Sequence, residues 1–189
     1  MTDYKFCPRC KTELRVLYED EYKRLVCPEC DFIYYYNSKP TASAVIEDGN
    51  RVLLCRRNIE PRKNYWDLPG GFLEAGEHPE EGAKREIKEE LEVEIDILDT
   101  LGIFMDSYQS SENLSTLNIY YLAKIKSGKL RMASEINEIK WFDQDNLPEE
   151  MAFKSNTEAL LAWRARRTAK NNIGWWNGFK KPTILFQIQ

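Results

Sequence analysis

Residues Gly71–Val93 read GFLEAGEHPEEGAKREIKEELEV, and this stretch decides how the rest of the 189-residue chain is understood. It holds eight glutamates against Lys84, Arg85 and Lys88. The whole chain carries −4, so this one segment accounts for the acidity and the remainder is close to neutral. Pro79 suits a first helical position, and Ala83, Ile87 and Leu91 recur every four residues, which predicts an amphipathic helix over 79–91. On that helix Glu86, Glu89 and Glu90 stand at i, i+3 and i+4 and share a face. An acidic solvated face with compensating pairs is one reading: Glu80 with Lys84, Glu81 with Arg85, and Glu89 within reach of Arg85. That reading leaves Glu86 and Glu90 facing each other without a cation. A divalent ion resolves the repulsion, and all-oxygen ligands favour Mg²⁺ or Mn²⁺ over zinc or copper.

Working outward, the preceding YWDLPG is rich in turn formers. TASAVIE and RVLLCRR read as strands joined at Asp48-Gly49-Asn50, a hairpin signal. Beyond the helix, VEIDILDTLGIFM, TLNIYYLAKIK and EIKWF read as further strands, with a turn at Ser127-Gly128. Ser155 and Glu158 form an S-x-x-E capping box ahead of ALLAWRARR, so a second helix is expected there. The stretch from 171 to 189 is apolar and aromatic, suited to packing or a dimer contact. The expected organisation is 1–37, 38–170 and 171–189.

The N-terminal unit is marked by Cys7-Pro-Arg-Cys10 and Cys27-Pro-Glu-Cys30. Two C-x2-C pairs separated by sixteen residues match a four-cysteine zinc ribbon, with rubredoxin-like iron as the lesser alternative. Zinc would supply folding energy that a thirty-residue unit cannot draw from its own core. A closed all-thiolate site is structural and carries no catalysis. Cys55, in an apolar strand, reads as an inert core thiol.

Bulk properties narrow the class. A 42% hydrophobic content supports a real core, and no apolar run approaches a membrane span. The first ten residues lack the pattern of a secretory signal, so the expected location is cytoplasmic, where paired cysteines bind metal rather than oxidise. A net charge of −4 argues against a nucleic-acid-gripping protein.

The helix segment resembles the Nudix box, G-x5-E-x7-R-E-U-x-E-E-x-G-U, where U is a bulky aliphatic. Gly71, Glu77, Arg85, Glu86, Ile87, Glu89, Glu90 and Val93 match, and WDLPGG resembles the usual approach to the box. Glu92 stands where the family has glycine, which puts helix termination in question but removes no ligand. His78 takes the capping place of a Ser or Thr and reads as a poor cap or a surface residue.

The resemblance implies an α+β fold, an α/β/α sandwich with a mixed sheet, following the zinc ribbon. It implies Mg²⁺ or Mn²⁺ held by Glu86, Glu89 and Glu90 with the Gly71 carbonyl assisting, and Arg85 orienting these acids with Glu77 as partner. Such enzymes hydrolyse a nucleotide-linked pyrophosphate by water attack at phosphorus. For the general base the candidates outside the box are Glu112, Glu135 and Glu138, with Glu135 preferred. Arg56 or Arg57 at a strand end suits a phosphate contact, or is an ordinary basic strand end.

A zinc ribbon ahead of a Nudix domain resembles two groups, the NADH pyrophosphatases (some of which remove NAD caps from RNA) and enzymes acting on ADP-ribose or FAD. LLCRRNIEP and WFDQDNLPEEMAFKS look closer to the second group. The SQPWPFP-type motif of the first group is absent, as is the proline that another subgroup of ADP-ribose pyrophosphatases carries beyond the box, so the resemblance leaves the small-molecule nucleotide open. A nucleoside triphosphate pyrophosphohydrolase and a non-catalytic nucleotide- or RNA-binding regulator are the other readings, and a homodimer is compatible. Tyr34, Tyr35 and Tyr36, or Trp175 and Trp176, are candidates to stack a base, against packing in a core or dimer interface.

Overall fold

The computed structural model describes residues 4–19, 22–107 and 114–173. Two sheets organise them. The first is a small antiparallel sheet of β1 (Arg15–Glu19), β2 (Tyr22–Val26) and β3 (Ile33–Tyr34). It is flanked by two cysteine turns, each ending in a left-handed residue just after the second cysteine: Lys11 (φ 65) and Asp31 (φ 54).

The second sheet has seven strands: β4 (Lys39–Asp48), β5 (Arg51–Arg57), β6 (Trp66–Asp67), β7 (Gly70–Phe72), β8 (Val93–Ser107), β9 (Ser115–Gly128) and β10 (Ile136–Asp143). Its main order is β10-β5-β4-β9-β8, with β6 on β5 and β7 on β4. The β4–β9 pair is parallel and the other pairs are antiparallel, so the sheet is mixed.

Helix α1 (Pro79–Leu91) covers one face and α2 (Lys154–Ile173) the other. The period-two alternation of β4 explains the three layers. Ala44 and Ile46 pack with Ile87 and Leu91 of α1, whereas Val45 between them packs with Ala159, Leu160 and Trp163 of α2. The α/β/α sandwich is as the resemblance implies. The ribbon abuts it through Tyr36, whose hydroxyl accepts from the Ser115 amide at 3.4 Å.

The ends of the helices depart in part from expectation. His78 does cap α1: its Nδ1 accepts from the Glu80 amide at 3.3 Å. Helix α1 stops at Leu91 because Glu92 adopts the left-handed conformation that glycine would supply, φ 56 and ψ 24. The expected capping box at α2 does not form. The Ser155 amide is instead met by the Asp106 carboxylate of β8 at 2.7 Å, and Glu158 pairs with Lys154. A long-range carboxylate thus replaces a local cap. Trp175, Trp176 and Glu112 lie outside the described residues.

Candidate active site

The turn between β6 and β7 lays Gly70 and Gly71 against α1. The Gly70 amide donates to Glu90 Oε2 at 3.0 Å. Gly70 has φ 144, and a Cβ there would lie 2.4 Å from the Ala42 carbonyl oxygen. A Cβ on Gly71 would lie 2.5 Å from the carboxyl carbon of Glu86. Both positions therefore require glycine if strand backbone is to approach the acids.

Arg85 is the hub on the outer side. Its Nε and Nη2 grip Glu77 at 2.8 and 2.9 Å, its Nη1 reaches Glu86 at 2.8 Å and Glu89 at 3.2 Å, and its Nη2 also donates to the Phe72 carbonyl. The bidentate hold explains why the Glu77 carboxyl is depressed to about 2, chiefly through its hydrogen bonds to Arg85. It also corrects the expected pairing. Glu86 does have a cation, Arg85, while Lys84 bonds Glu81 rather than Glu80.

Glu90 differs from its neighbours. Burial pushes its carboxyl up to about 8, and the charges of Asp67, Glu86 and Glu135 add to the rise, against the single Gly70 hydrogen bond. Burial also raises Glu86, with Arg85 opposing. Glu89 is largely exposed. The donor set is all oxygen, the Gly71 backbone leaves room beside Glu86, and Glu90 is a crowded acid with no cation of its own among the described residues. These features fit a hard dication.

Asp67, which motif reading passed over, completes the inner wall. It accepts from Arg57 Nη1 at 2.7 Å and from Asn156 Nδ2 at 2.5 Å. Burial raises its carboxyl, with the Arg57 charge opposing. Asn156 in turn accepts from Tyr120 Oη at 2.6 Å, tying β5, β6, β9 and α2 together. The hint in the sequence was an acid set between two buried apolar residues, Trp66 and Leu68. Cys55 is buried nearby, and burial, with the Glu90 and Asp67 charges, pushes its thiol up, so it is an inert neutral group.

The two arginines part company. Arg57 lines the cavity with Asp67, Gly70 and Gly71, and its Nε holds the Pro61 carbonyl at 2.9 Å. Arg56 points elsewhere, to the Asn64 carbonyl and to Glu138, its cross-strand neighbour. Glu135 sits on an exposed turn held by the Asn58 amide. Its charge reaches Glu90.

At the N-terminus, the sulfurs of Cys7, Cys10, Cys27 and Cys30 all lie within 4.8 Å of one another. The closest approaches run between knuckles, Cys7–Cys30 at 3.6 Å and Cys10–Cys27 at 3.3 Å, as two turns facing one ion require. The Arg9 amide points at Cys7 Sγ at 3.4 Å. Tyr34, Tyr35 and Tyr36 line a separate hollow with Tyr4, sharing no wall with the acid site.

Comparison with known proteins agrees with this geometry. A family model described as NUDIX domain matches residues 37–163, and one described as Nudix N-terminal, a zinc ribbon, matches residues 5–36. An ADP-ribose pyrophosphatase of Methanocaldococcus jannaschii is 27% identical over 176 residues, 92% of this chain and 97% of the relative. An NAD-capped RNA hydrolase NudC of Pseudomonas aeruginosa is 30% identical over 87% of this chain, which spans only 57% of that relative. A crystal structure of a NUDIX hydrolase from Nitrosomonas europaea superposes with a TM-score of 0.75 at 28% identity, covering 88% of this chain and 93% of that one. With its glycine-lined acid helix and its four gathered thiols, the chain belongs to the Nudix hydrolase family, in the form that carries an N-terminal zinc ribbon.

Proposed function

We propose that this hydrolase cleaves the pyrophosphate of a nucleoside diphosphate linked to a second moiety, with ADP-ribose, FAD and NAD(H)-like compounds as the substrate class. The observation that carries the reading is Glu90: a half-buried carboxyl raised to about 8, set against Asp67 and Glu86 and answered by one backbone N–H. Such a group is poor for stability and good for a ligand that brings positive charge. The ADP-ribose pyrophosphatase of the archaeal relative, matched over nearly its whole length, supports this substrate class over a nucleoside triphosphate.

In this reading Glu86, Glu89, Glu90 and the Gly71 carbonyl hold Mg²⁺ or Mn²⁺. The dications, when bound, offset the substrate's negative charge and lower the pKa of a water. Arg85 holds Glu77, Glu86 and Glu89 in place against their mutual repulsion. Glu135, exposed and electrostatically coupled to Glu90, takes the proton of the attacking water as general base. Water adds to one phosphorus, the bond from that phosphorus to the bridging oxygen breaks, and two monophosphates leave. Arg57, clamped by Asp67 and the Pro61 carbonyl, presents its remaining N–H edge to phosphate. Arg56 is committed to Glu138 and serves the sheet. Zinc on the four cysteines is structural. The same reading takes the protein as cytoplasmic, and assigns 171–189 to packing or a homodimer contact.

The test is a panel of ADP-ribose, FAD, NADH and nucleoside triphosphates with Mg²⁺ and Mn²⁺. Turnover of the linked diphosphates is expected, with monophosphates as products. Turnover confined to triphosphates with release of pyrophosphate would overturn the assignment.

A further inference from the structure

Beyond the acid site, a hollow of about 430 Å³ opens beside the inner cavity. Glu60, Arg62, Phe153 and Lys154 line it, and it shares Asp106 and Phe153 with the cavity that holds Arg57, Asp67, Gly70 and Gly71. Its size falls in the usual small-molecule range. The larger tyrosine-lined hollow beside the ribbon has no such shared wall. A linked diphosphate cleaved at α1 extends beyond the inner cavity, and this hollow is a space that opens from it.

The chemistry of the two compartments differs. In the inner cavity the polar side chains satisfy one another. Asn118 accepts from Thr41 Oγ1 and donates to the Phe104 carbonyl and to Thr116, and Asn156 is used by Tyr120 and Asp67. Those groups hold a shape and have little left for a ligand. In the outer hollow Asp106 is spent on the amides of Ser107 and Ser155, and Lys154 is paired with Glu158. Glu60 is different, since among the described residues its exposed carboxylate has no hydrogen-bond or ion-pair partner. The Pro61 carbonyl next to it is fixed by Arg57 Nε at 2.9 Å, so the loop carrying Glu60 is tied to the inner cavity. Arg62 and Lys154 balance Glu60 and Asp106, so the hollow is near neutral and suits an uncharged sugar better than another phosphate.

We infer that this outer hollow binds the ribose of the nucleoside half of the substrate, with Glu60 accepting hydrogen bonds from its vicinal hydroxyls. A carboxylate is a common reader of ribose hydroxyls because it offers acceptors only and leaves both O–H groups to donate. The inference rests on the linked-diphosphate reading and adds a specificity determinant to it: preference for ribose over deoxyribose.

The experiment compares ADP-ribose with its 2′-deoxyadenosine analogue, using the full chain and the Glu60→Ala and Glu60→Gln variants. The unmodified protein is expected to favour the ribose compound about tenfold in kcat/KM, the scale of one charge-assisted hydrogen bond near solvent. Both variants are expected to lose that preference through a higher KM for ADP-ribose, at unchanged kcat and unchanged melting temperature. A preference that survives in both variants overturns the inference alone. Failure of the unmodified protein to cleave either compound removes the linked-diphosphate reading and this inference with it.

Discussion

The four thiols of the ribbon lie within 4.8 Å of one another, whereas among the described residues no trio of carboxylates is gathered that tightly. The acids of α1 are pulled apart by other partners: Glu86 and Glu89 toward Arg85, Glu90 toward Gly70. The reason lies in what each region has to fold around. The ribbon leaves Tyr4, Phe6, Val16, Leu17, Tyr18 and Tyr22 exposed, so its sheet has almost no apolar interior, and the buried Cys7 and Cys27 are the centre of what it has. Helix α1 rests on Ile87 and Leu91, both fully buried in the sandwich core. One region needs its ion to exist. The other has an apolar core to fold around and, on the proposed reading, can keep its acids open for substrate.

The largest effect that would break this contrast is on the ribbon. Replacing Cys27 by serine, or stripping zinc with a strong chelator, is expected to abolish the structure of β1–β3. Structural zinc is worth about 10–16 kcal/mol of apparent binding energy in small fingers, far more than this sheet can replace. Hydrogen exchange is the measurement: β2 amides should exchange at once while β4 and β5 stay protected. Loss of protection in β4 and β5 as well would show that the two regions are one cooperative unit, and the contrast would fail.

Next in size is the acid site. Glu90→Gln is expected to lower kcat about 10²–10³-fold, the scale seen when one charge-stabilising group is removed. The same change should stabilise the metal-free protein at alkaline pH, and the sign follows from the raised pKa. The Glu90 carboxyl lies near 4.5 when unfolded and about 8 when folded without metal. Between those values the native state holds a proton that the unfolded state has released, so stability falls as pH rises through this window and levels off above it. The glutamine variant lacks that fall. Without added Mg²⁺ or Mn²⁺ it should melt above the parent at pH 8 and match it near pH 4.5. Parallel melting curves across that range would mean that Glu90 is not held in the crowded state described.

The same contrast explains what could be read from the amino acids and what could not. Both clusters were legible because their residues recur at short, fixed spacing within single turns or one helix. Strand positions followed from runs of β-branched and aliphatic residues, as TASAVIE and RVLLCRR show. The inner wall was hidden because Asp67 and Asn156 are 89 residues apart and meet only when β6 and α2 pack. The separate fates of Arg56 and Arg57 depend on which face of β5 each occupies and on the register that sets Glu138 opposite Arg56. The α2 cap was misread for a similar reason: Asp106 arrives from 49 residues away and displaces the local Ser155–Glu158 pair.

The smallest effect sharpens the comparison at the one place where this acid helix departs from its family pattern. Glu92 ends α1 with φ 56, a left-handed conformation that costs a side-chain-bearing residue about 1–2 kcal/mol. Glycine removes that strain but gives back about 0.4–1 kcal/mol through the looser unfolded chain. It also forfeits the exposed ion pair with Arg131, worth about 0–1 kcal/mol. The balance for Glu92→Gly is a gain of about 0.3 kcal/mol, at the edge of what a urea titration resolves. Turnover should not change, because Glu90 is positioned by the Gly70 amide and by the packed turns before it rather than by the helix end. A fall in kcat with no loss of stability would show that the last turn of α1 moves with the acids, and that the open site depends on its C-terminus as much as the closed one depends on zinc.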